Sequence, residues 1–192
     1  EEISTQRDEI GLQQQKMVDS IEYAKHIQGA LLPDKNLFKL YFKDSFVIFK
    51  PKDIVSGDFY WLKKIKNHLL FTVADCTGHG VPGAFMSIMG ISFLNEIVRR
   101  TEIKSPNMVL DELNIQVKQS LSNQALYESS EDDIQKYLKS DVKDGIELAF
   151  VDIDLKSNTL YFAGAESPLL LIRNNELITL EGTPIPVGIH YK

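Results

Sequence analysis

The stretch HLLFTVADCTGHG (residues 68–80) joins a strongly apolar run to a glycine-rich turn, and a helix is expected to begin near Pro82. The run 68–74 predicts a strand buried on both faces. Pro82 suits a first helical position, where its missing N–H breaks no hydrogen bond. Such a strand would hold Asp75 rigidly at its end, and the glycines would let the backbone approach an ion or a phosphate closely.

A second carboxylate lies a short distance upstream, because Asp58 follows Gly57 at the start of the predicted strand 58–65. A hairpin turn at Lys66-Asn67 would pair the two strands antiparallel and bring Asp58 close to Asp75. Neighbouring carboxylates repel each other unless a cation lies between them, and hard oxygen ligands favour Mg²⁺ or Mn²⁺. The pair therefore predicts a metal site. A pair of turn-capping aspartates stays open as the alternative.

The remaining elements follow in the order strands, helices, strands. This order indicates an α+β fold with antiparallel sheet, because a nucleotide-binding fold would alternate strands with helices. The polar segment 128–143 is predicted to be an acidic loop. Strands are predicted at 45–50, 58–65, 68–74, 145–153, 159–163, 168–172 and 176–180, and helices at 1–32, 82–98 and 105–124.

Composition limits the functional classes. The 192 residues suffice for one domain with a short appendage. A formal net charge of -6 argues against sequence-independent nucleic-acid binding and against an anionic membrane as the main partner. The polar first residues do not form a signal peptide, and the single cysteine, Cys76, suits a reducing compartment. These features predict a cytoplasmic domain.

The N-terminal segment 1–33 is predicted to be a helical stalk. Its apolar or small residues recur every seven positions, as in a coiled-coil seam, at Ile3, Ile10, Met17, Ala24 and Leu31. The companion seam positions include only one apolar residue, Ile21, beside Arg7, Gln14 and Gln28. The coiled coil is therefore weak, or this second face packs on something else. A dimerising signalling stalk is preferred to a solvated surface helix.

Two segments carry a family resemblance. KPKDIVSGDFYW (50–61) and ADCTGHGVPGA (74–84) together resemble the SpoIIE/RsbU-like branch of the PPM (PP2C-type) serine/threonine protein phosphatases. Supporting matches are YAKHIQGALLP (23–33), FAGAESP (162–168) and PIPVG (184–188). The resemblance implies an α-β-β-α sandwich of antiparallel sheets flanked by helices over residues 34–192, with a two-metal centre at one end.

The resemblance also implies roles for individual residues. Asp58 and Asp75 become catalytic metal ligands for two Mn²⁺ or Mg²⁺ ions, and the backbone carbonyl of Cys76 becomes a further ligand. The ions activate a water that attacks phosphorus directly, so no phosphoenzyme is needed. The Cys76 side chain is then a packing group.

Other residues are candidates for contact with phosphate or substrate. Lys52 either steers phosphate or is a solvated lysine, and His79 either acts as general acid or caps the turn. The glycines on either side of His79, Gly78 and Gly80, allow close approach. Asp144 is interpreted as an ordinary turn aspartate.

One departure from the family concerns the C-terminal side. The family pattern continues with a Thr-Asp-Gly motif and a final acidic motif, which supply the remaining metal-binding carboxylates, and neither occurs in this sequence. We therefore expect that the C-terminal part of the domain is missing. Asp58 and Asp75 alone would leave two ions underligated, because Mg²⁺ prefers six oxygen ligands.

Three functions compete at this point. The first is a protein phosphatase acting on a phosphorylated bacterial signalling protein, by resemblance an anti-sigma-factor antagonist. It would form a homodimer through the N-terminal helix and respond to an upstream sensor domain. The second is a non-catalytic dimeric signalling module with an incomplete metal site, and the third is a small-molecule phosphoesterase.

Overall fold

The computed structural model describes residues 2–100, 105–127 and 145–188. The predicted acidic loop and Asp144 lie outside these residues, and the predicted boundary between stalk and domain at residue 33 stays a prediction. The elements are α1 (Glu2–Leu31), a 3-10 turn (Lys35–Leu40), β1 (Phe59–Ile65), β2 (His68–Cys76), α2 (Gly80–Arg100), α3 (Pro106–Tyr127), β3 (Ile146–Asp154), β4 (Thr159–Ala165), β5 (Leu169–Arg173) and β6 (Glu176–Leu180).

The strands form two antiparallel units, as predicted. One is a four-stranded sheet in the order β1-β2-β3-β4, and the other is the hairpin β5-β6. The tight turns lie where the sequence predicts them. Lys66, Asn158, Asn174 and Asn175 all have a positive φ of 53–62°, which asparagine tolerates better than most residues.

The core lies between one face of the four-stranded sheet and the helices α2 and α3. Alternate residues of β2 face this core, including Leu70, Ala74 and Cys76. The opposite face opens toward solvent near the end of the strand, where Val73 is 63% exposed. The prediction that 68–74 is buried on both faces is therefore wrong beyond Leu70.

Helix α2 is apolar nearly all round, as the sequence predicts. By length and composition its segment Gly80–Arg99 could cross a membrane, but half of it is buried inside the molecule. Ile91, Leu94 and Ile97 are fully or almost fully buried. Packing on the sheet accounts for this apolar character.

The predicted strand at 45–50 is wrong. This segment has no strand partner among the described residues. Its side chains instead cross the outer face of the sheet, where the rings of Phe49 and Tyr60 meet edge to face with centroids 5.5 Å apart. Phe46 and Ile48 remain 85% and 74% exposed. A short apolar run alone does not make a strand, because the backbone groups also need a ladder partner.

Helix α1 has two distinct parts. Every described side chain from residue 3 to residue 20 is exposed. Further along, Ile21 is half-buried and Gln28 is only 5% exposed. The second face of the helix therefore packs on the domain at its C-terminal end, which is one of the two alternatives that the seam pattern leaves open.

Candidate active site

The two predicted aspartates meet at one end of the sheet. Phe59 of β1 pairs with Ala74 of β2, so Asp58, immediately before β1, and Asp75, near the end of β2, lie at the same end of the sheet. Their carboxyl groups lie close enough for a hydrogen bond between them to contribute to the raised pKa of Asp58. The hairpin register predicted from the Lys66-Asn67 turn is correct, and it produces the predicted proximity.

The electrostatics of this pair suit a cation. Partial burial raises the pKa of Asp58, and the hydrogen bond and the charge of Asp75 raise it further. Within the described residues neither carboxylate is paired with a lysine, arginine or histidine. Two carboxylates held together without a counter-ion provide hard oxygen ligands, which fit Mn²⁺ or Mg²⁺.

Three glycines pack the backbone tightly behind the pair. A Cβ atom on Gly57 would lie 2.9 Å from the carbonyl oxygen of Gly78 and 3.0 Å from that of Cys76. A Cβ atom on Gly83 would lie 2.5 Å from the same Gly78 oxygen. The loop that carries Asp58, the turn after Asp75 and the first turn of α2 therefore touch through bare backbone. This contact brings the Cys76 carbonyl, the third predicted ligand, against the loop of Asp58.

Two further acidic residues lie at the same edge and were missed by the sequence analysis. Glu147 is the β3 partner of Asp75, and Glu166 bridges to the neighbouring Leu148. Burial raises the pKa of Glu147, followed by the charges of Glu166 and Asp75 and a hydrogen bond to Glu166. Glu166 also has a φ of 54°, a left-handed backbone conformation that is uncommon for glutamate.

The four carboxylates form two pairs rather than one cage. Within the part of the chain that the structure describes, no three His, Cys, Asp or Glu side chains converge closely enough to hold a metal ion. The Asp58–Asp75 pair therefore fits as a partial ligand set, to be completed by backbone carbonyl and water.

The other candidate residues lie around the turn. Nδ1 of His79 is 2.9 Å from Oδ2 of Asp53. His79 therefore contacts the 50–57 loop, which favours the interpretation of His79 as a residue that stabilises the turn. Lys52 is exposed and makes no ion pair among the described residues. Gly78 and Gly80 have φ values of 86° and 66°, which explains why glycine stands on both sides of His79.

Comparison with known proteins identifies the family of this chain. The family model for stage II sporulation protein E (SpoIIE) matches residues 66–192, which is more than half of the chain. The chain belongs to the SpoIIE family. A search of curated proteins finds no match.

Solved structures show that this SpoIIE-family chain has a PP2C-like fold. The SiaA-PP2C domain of Pseudomonas aeruginosa is 30% identical and superposes with a TM-score of 0.74 over 91% of this chain. The chain spans only 64% of that structure's length. The PP2C phosphatase domain of SpoIIE from Bacillus subtilis is 19% identical, with a TM-score of 0.50 over 70% of this chain and 34% of its own, and shows the shared fold. The predicted family and the predicted PP2C-like fold are confirmed.

Proposed function

We propose that this chain is the catalytic domain of a Mn²⁺- or Mg²⁺-dependent protein phosphatase that hydrolyses phosphoserine or phosphothreonine. The observation that carries the proposal is the contact between Asp58 and Asp75 without a cationic side chain. Membership of the SpoIIE family supports it. Family resemblance further suggests a bacterial signalling protein as substrate, of the anti-sigma-factor antagonist class.

Each part of the site has a defined task in this proposal. Asp58, Asp75 and the Cys76 carbonyl would hold the cations, and the close glycine contacts would hold the backbone that carries them. Two bound ions would supply activation of the attacking water and neutralise charge that develops on the phosphoryl group. Lys52 would contribute positive charge to attract a phosphorylated substrate to an otherwise acidic chain.

The N-terminal helix supports a signalling role. Ile3, Ile10 and Met17 are 83%, 55% and 66% exposed and repeat at heptad spacing. We propose that they pair with the same residues of a second copy, so that an upstream sensor could change the geometry of the dimer. A cytoplasmic location stays a prediction from composition.

One observation favours the non-catalytic alternative. The described residues provide the Asp58–Asp75 pair but no group of three metal-ligating side chains. A domain with this ligand set could keep the fold and the dimer while binding cations weakly. Hydrolysis therefore has to be measured directly.

The test compares p-nitrophenyl phosphate and a phosphoserine peptide as substrates, with and without Mn²⁺. The phosphatase proposal expects Mn²⁺-dependent release of phosphate from both, lost in Asp75→Asn. Asp111→Asn is the matched control, because Asp111 is an exposed aspartate on α3, a helix that carries none of the candidate site residues. Mn²⁺-independent hydrolysis, or equal rates in both variants, would refute the proposal.

A further inference from the structure

A groove lies beside the candidate metal site, where α1, the 50–57 loop and the start of α2 meet. Its volume is about 720 Å³, within the range of about 300–1,000 Å³ typical of ligand sites. Its wall is mainly apolar and is formed by Ile21, Ile54, Val55 and Val81, together with Gly80. We name it the Ile54 groove.

Two charged residues, Lys52 and Asp53, also line the Ile54 groove. Asp53 is already occupied, since its carboxylate contacts Nδ1 of His79 at 2.9 Å. Lys52 makes no ion pair within the described residues. The groove therefore offers an apolar wall beside one lysine that has no ion-pair partner among the described residues, which is complementary to an aliphatic side chain with a carboxylate nearby.

The position of the groove limits its distance from the candidate metal site. Val55 is three residues before Asp58, so their Cα atoms are at most about 11 Å apart. In an extended peptide, residues two or three positions from the phosphoserine lie about 7–11 Å from it. A phosphoserine placed at the Asp58–Asp75 pair would thus have one of these neighbouring side chains within reach of the Ile54 groove.

We infer that the Ile54 groove binds an aliphatic side chain two or three residues from the phosphorylated residue of the protein substrate, and so determines sequence specificity. The inference rests on the proposed phosphatase function. Small phosphate esters lack such a side chain, so their hydrolysis would not depend on the groove.

The experiment measures binding of fluorescein-labelled phosphoserine peptides by fluorescence anisotropy in the presence of Mn²⁺. Four peptides carry one leucine at position −3, −2, +2 or +3 in a glycine and serine background, and a fifth has none. Burial of a leucine side chain predicts that at least one peptide binds about tenfold more tightly than the fifth. Equal affinity of all five would overturn the inference.

Variants locate the effect. Ile54→Ala and Ile21→Ala, which alter two different walls, should each abolish the leucine preference. Ile48→Ala should keep it, because Ile48 is 74% exposed and does not line the groove. A preference that persists in both groove variants contradicts the inference. So does equally tight binding of the unphosphorylated leucine peptide, which would indicate a different occupant.

Hydrolysis of p-nitrophenyl phosphate separates this inference from the function on which it rests. Leucine-dependent peptide binding without any hydrolysis refutes the phosphatase and keeps the groove. Normal hydrolysis without leucine dependence refutes the groove alone.

Discussion

Gln28 of the N-terminal helix forms two hydrogen bonds with the backbone of Ser56, two residues before Asp58. Its Oε1 accepts a hydrogen bond from the Ser56 N–H at 3.0 Å, and its Nε2 donates to the Ser56 carbonyl at 2.6 Å. The same Nε2 donates to Ser87 Oγ of α2 at 2.7 Å. One buried amide thus ties the stalk, the Asp58 loop and α2 together.

The first prediction concerns this amide. Gln28→Ala leaves the buried N–H of Ser56 without its side-chain partner and leaves the Ser56 carbonyl with only the longer bond from Ser87 Oγ, at 3.2 Å. It should therefore lower the free energy of unfolding by about 2 kcal/mol. Gln15→Ala removes a comparable side chain from the exposed part of α1, where its resolved contact is with Asp19, and should cost less than about 0.5 kcal/mol. Urea unfolding followed by circular dichroism measures both. Equal effects would mean that the Gln28 contacts do not hold the helix to the domain.

The second prediction compares two glycine-to-alanine substitutions. They add the same methyl group but differ in the room available for it. Gly83→Ala places a methyl group 2.5 Å from the Gly78 carbonyl oxygen, and should destabilise the chain by about 2 kcal/mol and weaken Mn²⁺ binding. Gly29→Ala has nothing within 4 Å of its new methyl group. It should stabilise α1 by about 0.5–1 kcal/mol. If Gly83→Ala is as well tolerated as Gly29→Ala, the close backbone contact is wrong.

The third prediction follows from the raised pKa of Asp58. A raised pKa in the folded state means that the native protein binds its proton more tightly than the unfolded chain does. The resulting stabilisation is full below the ordinary aspartate pKa of about 3.9 and is lost as pH rises through the native pKa. Without metal, Asp58→Asn should therefore be more stable than the unmodified chain at pH 7, and the difference should shrink below about pH 4.

Mn²⁺ should reverse this order. It should raise the thermal midpoint of the unmodified chain and leave that of Asp58→Asn nearly unchanged, because only the former has both carboxylates. Thermal unfolding of both proteins at pH 3.5 and pH 7, with and without Mn²⁺, measures these differences in midpoint. A variant that is less stable than the unmodified chain in metal-free buffer at pH 7 would contradict the account.

The fourth prediction concerns the thiol of Cys76, which is 2% exposed. Burial strongly raises its pKa, with smaller contributions from the charges of Asp75 and Asp58. The thiol should not react with Ellman's reagent in the native state and should react fully in urea. Cys76→Ala should keep Mn²⁺-dependent hydrolysis and cost about 1 kcal/mol of stability. Rapid reaction of the native thiol, or loss of hydrolysis in the variant, would assign the side chain a role beyond packing.

The fifth prediction tests the proposed dimer. Ile10→Asp and Met17→Asp place charges in the heptad seam and should convert a dimer into a monomer in sedimentation experiments. Leu12→Asp is the matched control, since Leu12 is 59% exposed but lies outside the seam. A monomeric unmodified chain, or loss of the dimer in the control alone, would exclude this seam.

Local signals allowed most elements to be predicted. Apolar periodicity and turn residues place α1 to α3 and β1 to β6 close to their observed bounds, and the hairpin at Lys66-Asn67 was enough to bring Asp58 to Asp75. The strand predicted at 45–50 was wrong because Phe49 of this apolar run packs on Tyr60 and the segment joins no sheet among the described residues. That contact depends on residues outside the segment.

The missed site residues depend on non-local pairing. Glu147 reaches the site only because β3 pairs with β2 across two intervening helices, in a register that places it opposite Asp75. Thr77 helps to fix this register, because its backbone N–H and its Oγ1 both donate to the Gly145 carbonyl, at 2.9 and 3.0 Å. The one available signal in the sequence was antiparallel pairing of the predicted strands β2 and β3 along their full length. Such pairing would have placed Glu147 opposite Asp75.

The most direct test of the central claim is a calorimetric titration of Mn²⁺ into the chain and into Asp58→Asn, Asp75→Asn and Asp111→Asn. The account predicts binding by the unmodified chain and by Asp111→Asn, and at least about tenfold weaker binding by each of the two site variants. Equal Mn²⁺ affinity in all four proteins would contradict the conclusion that Asp58 and Asp75 together hold a divalent cation.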